Sequence, residues 1–228
     1  MTELRQAIAD ALRRHDIHLP NDAQERVVGW AAEVQKHGKK TNLIGTTDPK
    51  RIATELVADS LMILPILEKT PDPIVDIGAG AGVPGLILCA ALNNAGILVE
   101  PRRKRTLFLQ HCARSLGLTP RVRAHEARIE DLDETTFDTP GARLWVSRAV
   151  FAPPQWLQVA AAHARPGDHV GLWCNGHLEA AHIDSPTKTL QLVARRTYSI
   201  AGPGDRTIFV FQRTESNDEI RQNCAETQ

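Results

Sequence analysis

Ile74-Val75-Asp76-Ile77-Gly78-Ala79-Gly80-Ala81-Gly82-Val83-Pro84-Gly85 is the stretch whose reading decides the fold. Three β-forming residues around one acid give way to four glycines within eight positions, and an apolar run, Leu86 to Leu92, follows. That order predicts a buried strand, a tight glycine turn and a helix. Glycine lets the backbone approach a ligand closely, and the first N–H groups of the new helix have no partner inside it. Pro84 suits the first helical turn, where its missing N–H costs nothing. A nucleotide-like ligand is the expectation.

Two ligands compete. Gly80-Ala81-Gly82-Val83-Pro84-Gly85 fits the dinucleotide pattern G-x-G-x-x-G, and Glu100 lies about 20 residues past the strand, where a ribose-binding acid belongs. Asp76, at the strand end, stands against a pyrophosphate and favours the cationic amino-acid end of S-adenosyl-L-methionine. Asp76-x-Gly78-x-Gly80-x-Gly82 is the arrangement found in class I methyltransferases. S-adenosyl-L-methionine is therefore the expected cofactor, and an NAD-dependent oxidoreductase the competing enzyme. Glu100 can accept from both ribose hydroxyls, with two charge-assisted bonds of roughly 1.5–3 kcal/mol each.

The rest of the chain fits one α/β domain with an appendage. The 228 residues carry 27 basic against 27 acidic side chains, so no global field demands a nucleic-acid partner. Cys89, Cys112, Cys174 and Cys224 form no C-x-x-C pair, and no metal site is expected. The charged opening, Met1 to His18, does not read as a signal peptide, and no apolar run approaches the roughly 20 residues of a membrane span. A cytoplasmic monomer is the expectation. Residues 1–70 read as a helical cap, with one helix expected to open at Asp48-Pro49 and to turn Ile52, Leu56, Leu61 and Leu64 inward. Residues 71–213 alternate strand and helix, and end in two β-runs, Thr189 to Ile200 and Thr207 to Gln212, around Gly202-Pro203-Gly204. That hairpin predicts an antiparallel addition to a mostly parallel sheet of seven strands, Rossmann-like but distinct from a plain dinucleotide fold. Residues 214–228 read as a polar, disordered tail.

At this level the chain resembles the bacterial 16S ribosomal RNA guanine-N7 methyltransferases, the glucose-inhibited division protein B family. The resemblance rests on Thr41-Asn42-Leu43, Asp48-Pro49, Ala58-Asp59-Ser60, the glycine stretch, Lys104-Arg105-x-x-Phe108-Leu109, Ala127-Arg128-Ile129-Glu130 and Ser147-Arg148-Ala149. It implies that Gly78, Val83, Ile129, Glu130 and Arg148 contact the cofactor, and that 16S ribosomal RNA or the small subunit is the partner. Leu56 stands where the family usually has His, and Cys174-Asn175-Gly176 where it usually has Leu-Lys-Gly.

Chemistry follows from the strand ends. Amino-group methyltransferases place Asn or Asp before Pro-Pro-aromatic after the fourth strand. This chain has Ser147-Arg148-Ala149, and its Ala152-Pro153-Pro154-Gln155-Trp156 lacks the amide or acid. Guanine N7 offers an in-plane lone pair with no proton to remove, so its methylation needs alignment more than a base. Arg148 is the expected catalytic residue, able to reach guanine, cofactor carboxylate or phosphate. Arg102, Arg103, Lys104, Arg105, Arg121 and Arg123, with Arg114 and Arg128, concentrate positive charge and predict RNA contact, joined by Lys36, Lys39 and Lys40. Cys174 is the alternative, a nucleophile for cytosine C5, and Cys174, His177 and His182 are a weaker metal constellation.

Overall fold

A computed structural model describes residues 2–41, 43–176, 187–200 and 204–215. Its centre is a seven-stranded sheet in the order β3-β2-β1-β4-β5-β7-β6. The parallel strands are β1 (Ile74–Ile77), β2 (Gly96–Val99), β3 (Val122–His125), β4 (Leu144–Ser147) and β5 (His169–Asn175). The final pair, β6 (Leu190–Ile200) and β7 (Gly204–Arg213), is antiparallel, with β7 running against β5 from His169↔Gln212 to Asn175↔Arg206. Central strands are buried on both faces, which is why Ile74 to Ile77, Gly96 to Val99 and Leu144 to Ser147 are mostly apolar and show no in–out alternation of burial. Chain order reverses between β1 and β4, and in open α/β sheets the carboxyl edge at such a reversal is where ligands bind.

Helices α5 (Gly85–Leu92), α6 (Arg103–Ser115) and α7 (Pro153–His163) connect the strands. Helix α7 opens three residues before Trp156, because Pro153 and Pro154 occupy its first turn. The cap begins with α1 (Thr2–Arg14) and α2 (Asn21–Thr41). Asp48 then opens α3 (Pro49–Arg51), its carboxylate accepting from the Arg51 N–H at 2.8 Å. The single regular helix expected from Asp48 onward is not what forms. After α3 the chain widens into a π-helical segment, Ile52–Ala58, before α4 (Asp59–Leu61) restores the tighter winding. The wider turn changes the inward face: Ile52, Ala53, Val57, Ala58 and Leu61 are fully buried, while Leu56 and Leu64 are half-buried.

The core is continuous across cap and sheet. One cluster joins Leu4, Ile8, Trp30 and Val34 of the cap to Leu86, Leu98, Val146 and Val210 of the sheet side. A second, on the opposite sheet face, holds Val75, Ile129, Phe137, Trp145 and Phe209. At the amino edge a buried ion pair, Arg143–Asp168, is saturated by its surroundings. Asp168 accepts from the Arg143 backbone N–H at 2.8 Å, the Trp145 indole at 2.9 Å and the Arg165 backbone N–H at 2.9 Å. The turn residues Gly202 and Pro203, the tail from Ser216 onward, Asn42, His177 and His182 lie outside the described residues.

Candidate functional site

The glycine stretch does three different things. Gly85 is required by packing, since a Cβ there would stand 2.4 Å from the Asp76 Cβ. Gly80 has φ +56°, and the nearest atoms to its missing Cβ are 3.8 and 3.9 Å away, so it faces open space. Gly78 and Gly82 are closed off by Val150 and Leu86 respectively. Of the four glycines, only Gly80 keeps its backbone clear for a ligand. The turn is also held from the cap, because the Trp30 indole N–H donates to the Ala81 carbonyl at 2.9 Å.

A cavity of about 450 Å³ opens beside this turn at the carboxyl edge. Gly78, Gly80 and Val83 form one side, and Leu56, Arg105 and Arg148 contribute to the others. The cavity therefore lies where β1 and β4 diverge, and the cap closes part of it. Hollows of about 390 and 560 Å³ also exist, but they border the saturated Arg143–Asp168 pair at the amino edge.

Asp76 is not on the cavity wall. It is fully buried beneath the start of α5, where Oδ2 accepts from the Gly85 N–H at 2.8 Å and Oδ1 has no hydrogen-bond partner among the described residues. Burial pushes its pKa up to about 7, against the lowering effect of the Gly85 bond. The residue expected to meet a cationic ligand thus stands behind the turn and does not line the cavity. Glu100 follows β2 and is also buried. One of its oxygens accepts from the Gly80 N–H at 3.0 Å, the other from the Arg102 N–H at 2.9 Å, and Arg105 lies 3.9 Å away. A carboxylate offers about four acceptor positions, so two remain.

Ile129 and Glu130 belong to the short turn Ile129–Asp131 after β3 and do not line this cavity. Ile129 packs in the second core cluster, and Glu130 is exposed. Ser147 is used structurally, its hydroxyl donating to the Ile77 carbonyl at 2.7 Å and extending the β1–β4 contact past the ladder. Ala149 has φ +59°, an uncommon conformation for alanine, next to Arg148. Arg148 lines the first cavity and a second one, of about 330 Å³, that also meets Phe151, Trp156, Trp173, Asn175 and Arg206. Its Nη1 pairs with Asp59 Oδ2 at 2.8 Å, and its Nη2 donates to the Glu55 carbonyl at 2.8 Å.

The basic concentration divides. Arg102 and Arg105 reach the first cavity, and Arg103 approaches Glu126 at 3.7 Å on the adjoining rim. Lys104 is exposed on the first turn of α6. Arg121 precedes β3 at the opposite edge of the sheet and donates to Asn93, while Arg123 is exposed on the edge strand. One continuous surface from Arg102 to Arg123 is therefore not formed. Cys174 is buried and its thiol is pushed up to about 11 by burial, the wrong direction for a nucleophile. Glu33, His37 and His111 cluster between α2 and α6, with both imidazoles directed at one Glu33 oxygen, at 3.3 and 2.9 Å.

Residues 23–200 match the family described as rRNA small subunit methyltransferase G, or GidB. A ribosomal RNA small subunit methyltransferase G from Myxococcus xanthus is 31% identical over 210 residues, covering 90% of this chain and 95% of the relative. One from Desulfotalea psychrophila is 40% identical over 136 residues, 59% of this chain and 61% of the relative. Among solved structures, the O-methyltransferase TomG from Streptomyces achromogenes, solved in complex with SAM, superposes with TM-score 0.59 at 15% identity, covering 91% of this chain and 96% of that one. That likeness shows the fold alone. With the glycine turn, the cavity at the β1/β4 divergence and the antiparallel end strand in one chain, the match over residues 23–200 settles the family: this chain belongs to the rRNA small subunit methyltransferase G family.

Proposed function

We propose that the chain is an S-adenosyl-L-methionine-dependent methyltransferase acting on N7 of a guanine in 16S ribosomal RNA, in the cytoplasm where small subunits are found. The observation that carries this reading is the cavity at the β1/β4 divergence, which unites the open face of Gly80 with Arg148 in a chain of this family. The residues fit the cofactor. Gly80 leaves room for close backbone approach, Glu100 keeps two acceptor positions beside it for a ribose diol, and the unpartnered Asp76 Oδ1 places latent negative charge behind the turn. Gly78, Gly82 and Val83 shape the turn, and Ile129 and Glu130 adjoin the same edge after β3. Bound there, the cofactor supplies an electrophilic methyl group.

This chain's own contribution is alignment. Guanine N7 has no proton to remove, and orientation alone is worth about 7–11 kcal/mol. Arg148, between the two cavities, is the group we assign to holding base and cofactor in line. Phe151 and Trp156, whose rings stack at 6.0 Å, and Trp173 give the second cavity an aromatic wall suited to a flat base. Arg102, Arg103 and Arg105 are assigned to phosphate.

The test uses small subunits from a strain lacking this gene, methylated with the full chain. N7-methylguanine is cleaved by borohydride and aniline, so a new strand break at one guanine is expected. Arg148→Ala loses most of the cleavage signal, and Cys174→Ala retains it. No break at guanine, together with covalent trapping by a fluorinated cytosine, would move the target to cytosine C5.

A further inference from the structure

Asp59 sits where the π-helical segment ends and α4 begins, with none of its surface exposed. Its two carboxylate oxygens draw in three side chains from distant elements. Oδ1 accepts from the Tyr198 hydroxyl of β6 at 2.6 Å, and Oδ2 meets Arg148 at 2.8 Å and Arg206 of β7 at 2.5 Å. Its backbone carbonyl accepts from the Trp173 indole of β5 at 3.0 Å. Arg148, Trp173 and Arg206 all line the second cavity. One carboxylate therefore stands behind the wall where two guanidinium groups and an indole face the space next to the cofactor cavity.

The chemistry of the cluster is lopsided. Two arginines share one carboxylate, and Tyr198, its pKa raised by burial and by the Asp59 charge, donates its hydroxyl to it. Arg206 Nε is buried and has no hydrogen-bond partner among the described residues. Arg148 is fixed through both terminal nitrogens, to Asp59 and to the Glu55 carbonyl, and Arg206 through Nη1 to Asp59, so each guanidinium plane is fixed, as recognition of a base edge or a phosphate requires.

We propose that Asp59 is a positioning residue: its buried carboxylate fixes Arg148 and Arg206 on the wall of the second cavity, so that both are presented to the target nucleotide in one orientation. This rests on the reading given under Proposed function. Asp59 itself touches no ligand. Arg206 becomes a substrate-contacting residue supplied by the terminal hairpin, 147 positions away in sequence.

The full chain carrying Asp59→Asn keeps the shape and loses the charge. Calorimetry with S-adenosyl-L-methionine counts folded sites, and turnover on small subunits is expressed per site counted. About one site per chain with turnover per site reduced roughly 100-fold is expected, the size of loss that follows an ångström-scale misplacement. If turnover per site stays at the wild-type value, whether or not the number of sites falls, Asp59 is structural and the proposal fails. Arg206→Lys, which keeps a cation for Asp59 but not the fork, covers the case in which Asp59→Asn does not fold. A loss of about tenfold per site supports the proposal and wild-type turnover overturns it. Should the wild-type chain leave the ribosomal guanines unmethylated, the function reading falls. The positioning claim is then decided by phenylglyoxal modification read by mass spectrometry: Arg206 is expected to react at least tenfold faster in Asp59→Asn, and an unchanged rate overturns it.

Discussion

Gly80 and Asp76 carry the sharpest expectations at the scale of single residues. Gly80→Val forces a β-branched residue to φ +56° and puts two methyl groups into the cavity mouth. Titration calorimetry is expected to detect no S-adenosyl-L-methionine binding by this variant. Asp76 predicts a pH dependence whose sign follows from its raised pKa. In the unfolded chain its carboxyl has an ordinary value near 3.8, and in the folded chain about 7. The favourable contribution of its neutral form is fully present below the unfolded value and is lost as pH rises through about 7. Thermal melts should therefore show stability falling between about pH 4 and pH 7, and Asp76→Asn should flatten that slope. The same shift means a cation bound nearby favours ionisation, so cofactor binding near pH 7 should release protons, read by calorimetry in buffers of different ionisation enthalpy. A buffer-independent heat would disconnect Asp76 from the site. The stretch around these residues predicted a strand, a glycine turn and a helix, and those form. What it did not reveal is the division of labour, because whether a glycine serves a ligand or a neighbouring side chain depends on Leu86, Val150 and Asp76 approaching from other directions.

At the scale of elements, the start of α6 and the π-helical segment behave differently from their sequence patterns. The basic run was legible as a run, but Arg121 lies before β3 at the far edge of the sheet, so of the run Arg102 and Arg105 line the cavity, with Arg103 beside them in sequence at the start of α6. Replacing those three by Ala together should weaken RNA binding and lower the slope of affinity against salt by roughly one unit per lost phosphate contact. Filter binding at several salt concentrations checks this, and an unaltered slope would leave the run a solvated face. Arg121→Ala should change nothing in the same assay. The π-helical segment had no signal in a 3.6-residue reading, since one wide turn leaves the apolar spacing nearly intact while moving Leu56 towards the cavity. The strands were easier, because Ile74 to Ile77 and Leu144 to Ser147 are mostly apolar and bounded by turns, and both are buried throughout.

At the scale of the whole molecule, the helical cap and the α/β part share one core, with Trp30 fully buried between them. Trp30→Ala removes a large buried ring and its bond to Ala81, at an expected cost of about 3–5 kcal/mol. Chemical denaturation should show this as a shifted midpoint in a single transition, and two separated transitions would mean that the cap unfolds alone. The mostly parallel seven-stranded sheet was legible from the alternation and the closing hairpin, whereas its strand order and the meeting of Asp59 with Tyr198 and Arg206 were not. No local pattern spans 139 or 147 residues. That long reach has a consequence for synthesis. Asp59 and Arg148 are both made before β6 and β7, so a nascent chain holds that pair without Tyr198 and Arg206 until the hairpin emerges. Assembly of the second cavity thereby waits on the β6–β7 hairpin, and a copy cut short before it cannot imitate the protein.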